Sequence, residues 1–163
     1  MTNFPPGGGE EKYSRQVAEM VRTVAVGTDG SDRAAKAVEF ALDMAKRYGA
    51  KLVAISSYHP VSESRLRKEQ EEAPQEIQWS INPMEEVEDI LSSVESRALE
   101  AGLEVTTVSS QGDPADVLIK HAEEQDADVL VVGNRGMNRR ILGSVPNTVT
   151  HKARCTVVVV KTG

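Results

Sequence analysis

The stretch Thr23-Val24-Ala25-Val26-Gly27-Thr28-Asp29-Gly30-Ser31-Asp32 decides the fold. A short apolar run that stops at a Thr-Asp-Gly-Ser turn reads as a buried strand. Immediately after it, Ala34, Ala37, Val38, Ala41, Leu42 and Ala45 recur at helical spacing and place one apolar stripe along a helix that Gly49 ends. Ser31 or Asp32 supplies the cap. A buried strand leading directly into an amphipathic helix is the first half of a βαβ unit, and the rest of the chain repeats it.

Leu52-Val53-Ala54-Ile55 is the second strand, and His59 to Ile81, polar and broken by Pro60 and Pro74, reads as a long mobile loop. Asn82-Pro83 with Glu85 opens a helix whose buried stripe is Met84, Val87, Leu91, Val94 and Ala98, closed by Gly102. Leu103 to Ser109 is the third strand. Asp113-Pro114 caps a helix carrying Ala115, Leu118, Ile119 and Ala122, and Val129 to Val132 is the fourth strand. A glycine-bearing loop then leads to a helix over about 144–153 and a last strand, Cys155 to Val160. The strands are almost wholly apolar and alternate with helices, so the expected fold class is α/β, a single doubly wound, open, five-stranded parallel sheet covered on both faces. Residues 1–20, with Pro5-Pro6 and Gly7-Gly8-Gly9, form a disordered or loosely packed extension, with a short helix expected around Tyr13, Val17, Met20 and Val21. Residues 21–163 form the domain.

The composition excludes several classes. The 163 residues carry a net charge of −6, so a general nucleic-acid binder, which needs a basic face, is not expected. The single cysteine, Cys155, rules out an internal disulfide framework and a Cys-rich metal site. No run approaches the roughly 18 apolar residues of a membrane span, and the opening MTNFPPGGGEEKYSRQ lacks the organisation of a signal peptide. The expected location is cytoplasmic. His59, His121 and His151 fall in different elements without metal-ligand spacing, and no metal site is expected of the protein itself.

Ligands of doubly wound sheets sit beyond the carboxyl ends of the strands, which directs attention to the residues after strands 1 and 4. After strand 4 the chain reads Gly133-Asn134-Arg135-Gly136, then Met137 to Leu142, then Gly143-Ser144-Val145. Glycines permit close approach of a ligand, and a helix starting at Ser144 aims its unpaired N–H groups at it, an arrangement that suits phosphate. Arg135, Arg139 and Arg140 add cations to an otherwise acidic chain. The bland alternative is that the glycines only end the strand and cap the helix. Asp29 can accept bonds from ribose or adenine, or can simply stabilise its own turn.

Three motifs together, Val26-Gly27-Thr28-Asp29-Gly30-Ser31, Val131-Val132-Gly133-Asn134-Arg135-Gly136 and Leu142-Gly143-Ser144-Val145, resemble the universal stress protein family over roughly residues 21–161. The resemblance implies a Rossmann-like sheet, of the adenine nucleotide alpha hydrolase type, with strand order 3-2-1-4-5. It also implies an adenine nucleotide, with ATP favoured, held by a Gly-x2-Gly-x9-Gly-(Ser/Thr) loop. Asp29 then faces ribose and adenine, Ser57 and Tyr58 flank the base, and Gly133, Gly136, Gly143 and Ser144 surround ribose and phosphates. Gly27, Thr28, Asn134, Arg135 and Val145 complete the candidate set. Here the connector between Gly136 and Gly143 holds six residues instead of nine, which makes AMP or cyclic AMP a rival to ATP, with Mg2+ arriving only as the nucleotide's companion.

No Gly-x4-Gly-Lys-(Ser/Thr) loop is present, so a regulatory nucleotide binder in the stress response is expected rather than a vigorous NTPase. A nucleotide-free interaction module is the alternative. The apolar run Val157, Val158, Val159 and Val160 ends the sheet with an edge that natural proteins cover. The resemblance implies that a homodimer covers it.

Overall fold

The computed structural model describes residues 20–59, 83–134 and 142–161. In chain order these build β1 (Thr23–Gly27), α1 (Asp32–Tyr48), β2 (Lys51–Tyr58), α2 (Pro83–Glu100), β3 (Val105–Gln111), α3 (Pro114–Glu124), β4 (Val129–Asn134), α4 (Ser144–Lys152) and β5 (Thr156–Lys161). All strand pairs are parallel and the order is β3-β2-β1-β4-β5, the expected architecture. Most of residues 1–20, the segment 60–82, Arg135, Gly136 and most of the short connector fall outside the described residues.

Alternation along the strands sorts the core into two layers. Val24, Val26, Leu52, Ala54 and Val131 face α1 and α2, where they meet Ala37, Val38, Ala41, Ala45, Val87, Leu91, Val94 and Ala98. Ala25, Val53, Ile55, Leu130 and Val132 face the other way, onto Ala115, Val117, Leu118 and Ala122 of α3 and Val149 of α4. A sheet buried on both faces explains why its strands read as continuous apolar runs. Alanines dominate the inner face of α1, letting the helix lie close to the sheet.

The helix ends follow their sequence signals. The Ser31 hydroxyl accepts a bond from the Ala34 N–H at 3.1 Å, and Gly49 ends α1 in the left-handed region at φ 62°. Asp113 caps α3 by accepting from Ala115 N–H at 3.0 Å and Asp116 N–H at 3.3 Å. Three expectations shift. β2 runs to Tyr58, because Ser56, Ser57 and Tyr58 continue to pair with Ser109, Ser110 and Gln111 of β3. β3 starts at Val105, two residues after Leu103, whose N–H closes the previous helix on the Ala98 carbonyl. Met84 is 46% exposed instead of buried, since α2 meets the core only from Val87 onward.

Candidate functional site

The parallel topology brings the starts of α1, α3 and α4 to the carboxyl ends of the strands. Between them lies a cavity of about 320 Å³, at the small end of the size expected for a small-molecule site, roughly 300–1,000 Å³. Its floor is apolar, made by Ile55, Leu118 and Val132, and its rim carries the polar groups of the three helix starts.

Gly27, Thr28, Asp29 and Ser57 line one side of this cavity, and Gly133, Asn134, Gly143, Ser144 and Val145 line the other. Arg135 and Gly136 lie outside the described residues. Tyr58 is a correction. It packs partly buried against the α1/α2 layer and does not line the cavity, because successive strand residues point to opposite faces. Ser57, its neighbour, points in.

The glycines play different parts. A Cβ on Gly27 would stand 2.8 Å from both Cδ atoms of Leu118, so the bare backbone there lets α3 close on the sheet under the cavity. Gly30 has φ +76°, and a Cβ would meet Ile90 of α2 at 2.6 Å. Gly143 is not conformationally unusual. It caps α4 at φ −60° without any side-chain bond, and a Cβ there would meet only ordinary contacts at 3.7 Å, to Asn134 Oδ1 and to Pro146. Its hydrogen tells more: the Gly143 N–H donates to Asn134 Oδ1 at 3.2 Å, joining the end of β4 to the start of α4. The Asn147 N–H is spent on the Gly143 carbonyl at 3.0 Å, and Pro146 has no N–H. Ser144 and Val145 remain as the first-turn amides whose N–H groups have no intrahelical acceptor and border the cavity.

Asp29 fulfils its turn reading: its Oδ1 accepts the Ser31 N–H at 3.0 Å and the Ser31 hydroxyl at 2.6 Å. Because Ser31 in turn caps α1, the carboxylate is held in place at the cavity wall. Sequence reasoning missed Arg33, Asp113 and Pro114, which also line it. The signal was available, since a parallel sheet delivers the start of every crossover helix to this end, the one after β3 included.

A second, more open depression of about 510 Å³ lies at the other end of the sheet, lined by Asp126, Asp128, Arg154, Cys155 and Thr156 among others. Helix carboxyl termini, not amino termini, approach that end, so it does not attract anions. Cys155 is a half-buried free cysteine there, and burial pushes its thiol pKa up, the opposite of an activated nucleophile. Among the described residues no group of three or more His, Cys, Asp or Glu is placed to hold a metal ion. Nor is any described helix long and apolar enough to cross a membrane.

The model of the universal stress protein family matches residues 20–161. The chain belongs to the universal stress protein family. Universal stress protein Rv1636 of Mycobacterium tuberculosis is 36% identical over 145 residues, covering 86% of this chain and 97% of its own length. Universal stress protein YxiE of Bacillus subtilis is 31% identical over 153 residues, 87% of this chain and 100% of its own. Among solved structures, a universal stress protein in complex with cAMP superposes with a TM-score of 0.65 at 33% identity, covering 88% of this chain and 98% of that one. A universal stress protein of Archaeoglobus fulgidus in complex with dAMP, 24% identical with a TM-score of 0.63 over 86% of this chain and 98% of that one, shares the fold. Of the residues that carry the resemblance, Gly27, Thr28, Asp29, Gly133, Asn134, Gly143, Ser144 and Val145 meet around the cavity.

Proposed function

We propose that this universal stress protein is a regulatory protein that binds an adenine nucleotide in the cavity between the starts of α1, α3 and α4. The observation that carries the reading is the convergence on one apolar-floored cavity of Asp29 with Gly133, Gly143, Ser144 and Val145, residues far apart in sequence. The apolar floor suits a base, the Asp29 carboxylate suits ribose hydroxyls, and the unpaired amides of Ser144 and Val145 suit a phosphoryl group. The cAMP complex of a relative at 33% identity supports an adenine nucleotide.

Among the described residues, with the Gly143 N–H engaged by Asn134 and no N–H on Pro146, the amides of Ser144 and Val145 serve the phosphate end. ATP with its Mg2+, AMP and cyclic AMP form the panel to be tested. The nucleotide is read as a bound ligand and not as a substrate, because the chain has no phosphate-binding lysine motif. Calorimetric titration with AMP, cyclic AMP and ATP tests this reading. Binding of at least one, lost in Gly143→Phe, is expected; no binding of any, together with no nucleotide retained through gentle purification, would leave the nucleotide-free interaction module as the better description.

We also read the chain as a cytoplasmic homodimer joined through β5. The two sheet edges differ: β3 presents Thr106, Thr107, Ser109 and Ser110, whereas β5 presents Val157 to Val160, all half-buried. An apolar edge is the one a second copy covers. Sedimentation of the chain against a Val158→Lys variant tests this, with a shift from dimer to monomer expected.

A further inference from the structure

Arg33 stands in the first turn of α1 and lines the same cavity as Ser144 and Val145. A cation there works against the helix dipole, whose positive end favours acidic side chains. It has no compensation of the ordinary kind, for Arg33 makes no ion pair among the described residues although two carboxylates, Asp29 and Asp113, line the cavity too. Both carboxylates have partners of their own: Asp29 accepts the N–H and the hydroxyl of Ser31, and Asp113 caps α3. The guanidinium is exposed and contributes nothing to the core. An unpaired arginine in an unfavourable dipole position, at the mouth of a cavity with an anion-seeking far wall, is explained by an anionic ligand.

Resting on the nucleotide reading above, we propose that Arg33 is the specificity-determining cation of the site. It selects ligands that carry a phosphoryl group over the bare nucleoside by pairing with the phosphate that the α4 amides also receive. Guanidinium matches phosphate oxygens in a two-pronged geometry that no other side chain reproduces. The site thereby reports the phosphorylation state of an adenosine compound, not adenosine itself.

The test is calorimetric titration of the full chain and its Arg33→Gln and Arg33→Lys variants. The probes are adenosine and whichever of AMP, cyclic AMP and ATP binds the parent chain most tightly. Arg33→Gln should weaken the phosphorylated ligand about tenfold, leave adenosine within about twofold, and reduce the salt dependence of binding. Arg33→Lys should recover part of the loss. Unchanged affinity for the phosphorylated ligand in Arg33→Gln overturns the assignment, as does an equal loss for adenosine, which would mean a general effect on the cavity. If Gly143→Phe abolishes binding while Arg33→Gln does not, the nucleotide reading stands and the role of Arg33 falls. A parent chain that binds no nucleotide removes both.

Discussion

The side-chain oxygen of Asn134 accepts the N–H of Gly143 at 3.2 Å, spanning nine positions of chain with one bond. It fixes the gap between the last residue of β4 and the cap of α4, the two sides of the cavity at the end proposed for phosphate. Replacing Asn134 by Ala should therefore cost about 1 kcal/mol of stability, the usual worth of such a bond, and weaken nucleotide binding severalfold. Urea unfolding and calorimetry check the two parts. An Asn134→Asp variant keeps the acceptor but adds a negative charge beside the phosphate, so it should hold stability and still lose affinity.

Gly30 and Gly143 should differ in their response to alanine. At Gly30 the new Cβ meets Ile90 at 2.6 Å in a backbone with φ +76°, and a destabilisation of about 1–3 kcal/mol is expected. At Gly143 the backbone is ordinary and the contacts are 3.7 Å, so alanine should change stability by less than about 0.5 kcal/mol. Combining Gly30→Ala with Ile90→Ala should relieve the clash but not the backbone strain, a partial recovery visible in a double-mutant cycle.

Asp113 separates capping from charge. Asn caps a helix as well as Asp, so Asp113→Asn should leave the melting temperature nearly unchanged while removing a carboxylate from the cavity rim. Affinity for an anionic ligand should rise about twofold or more. Asp113→Ala should lose roughly 1 kcal/mol of stability through the vacated cap. Thermal melts and calorimetry on the pair distinguish the two roles.

Stability should depend on pH through Cys155. Burial raises its folded-state pKa, so the protonated thiol contributes stability that is fully present below the ordinary thiol pKa of about 8.5 and is lost as pH rises through the elevated folded value. Denaturant midpoints measured from pH 7 to 10 should fall at the alkaline end, and Cys155→Ala should flatten that part of the curve.

The fold was legible because its signals are local. Thr23 to Gly27 and the alanine stripe from Ala34 to Ala45 each announce an element in a dozen residues, and caps such as Ser31, Asp113 and Gly49 mark the ends. Strand order came with the family motifs, which composition and periodicity alone do not carry. Boundaries were less legible where polar residues continue a strand: Ser56 and Ser57 look like loop in isolation and become β2 only because β3 pairs with them. The site was legible where glycines and Asp29 flagged it and hidden at Arg33 and Asp113. Those two resemble ordinary helix-start residues until the topology gathers three helix starts around one space.

The extension of β2 past β1 has a dynamic consequence. Leu52 to Ile55 are clasped by β1 on one side and β3 on the other, whereas Ser56 to Tyr58 pair with β3 alone, itself an outer strand. Amide protons of this two-stranded tip should exchange with solvent through small local openings, while those of Val53 and Ala54 wait for global unfolding. Ser57 sits on that tip at the cavity wall, so the slowing of its exchange gives an occupancy gauge for the site that needs no labelled ligand.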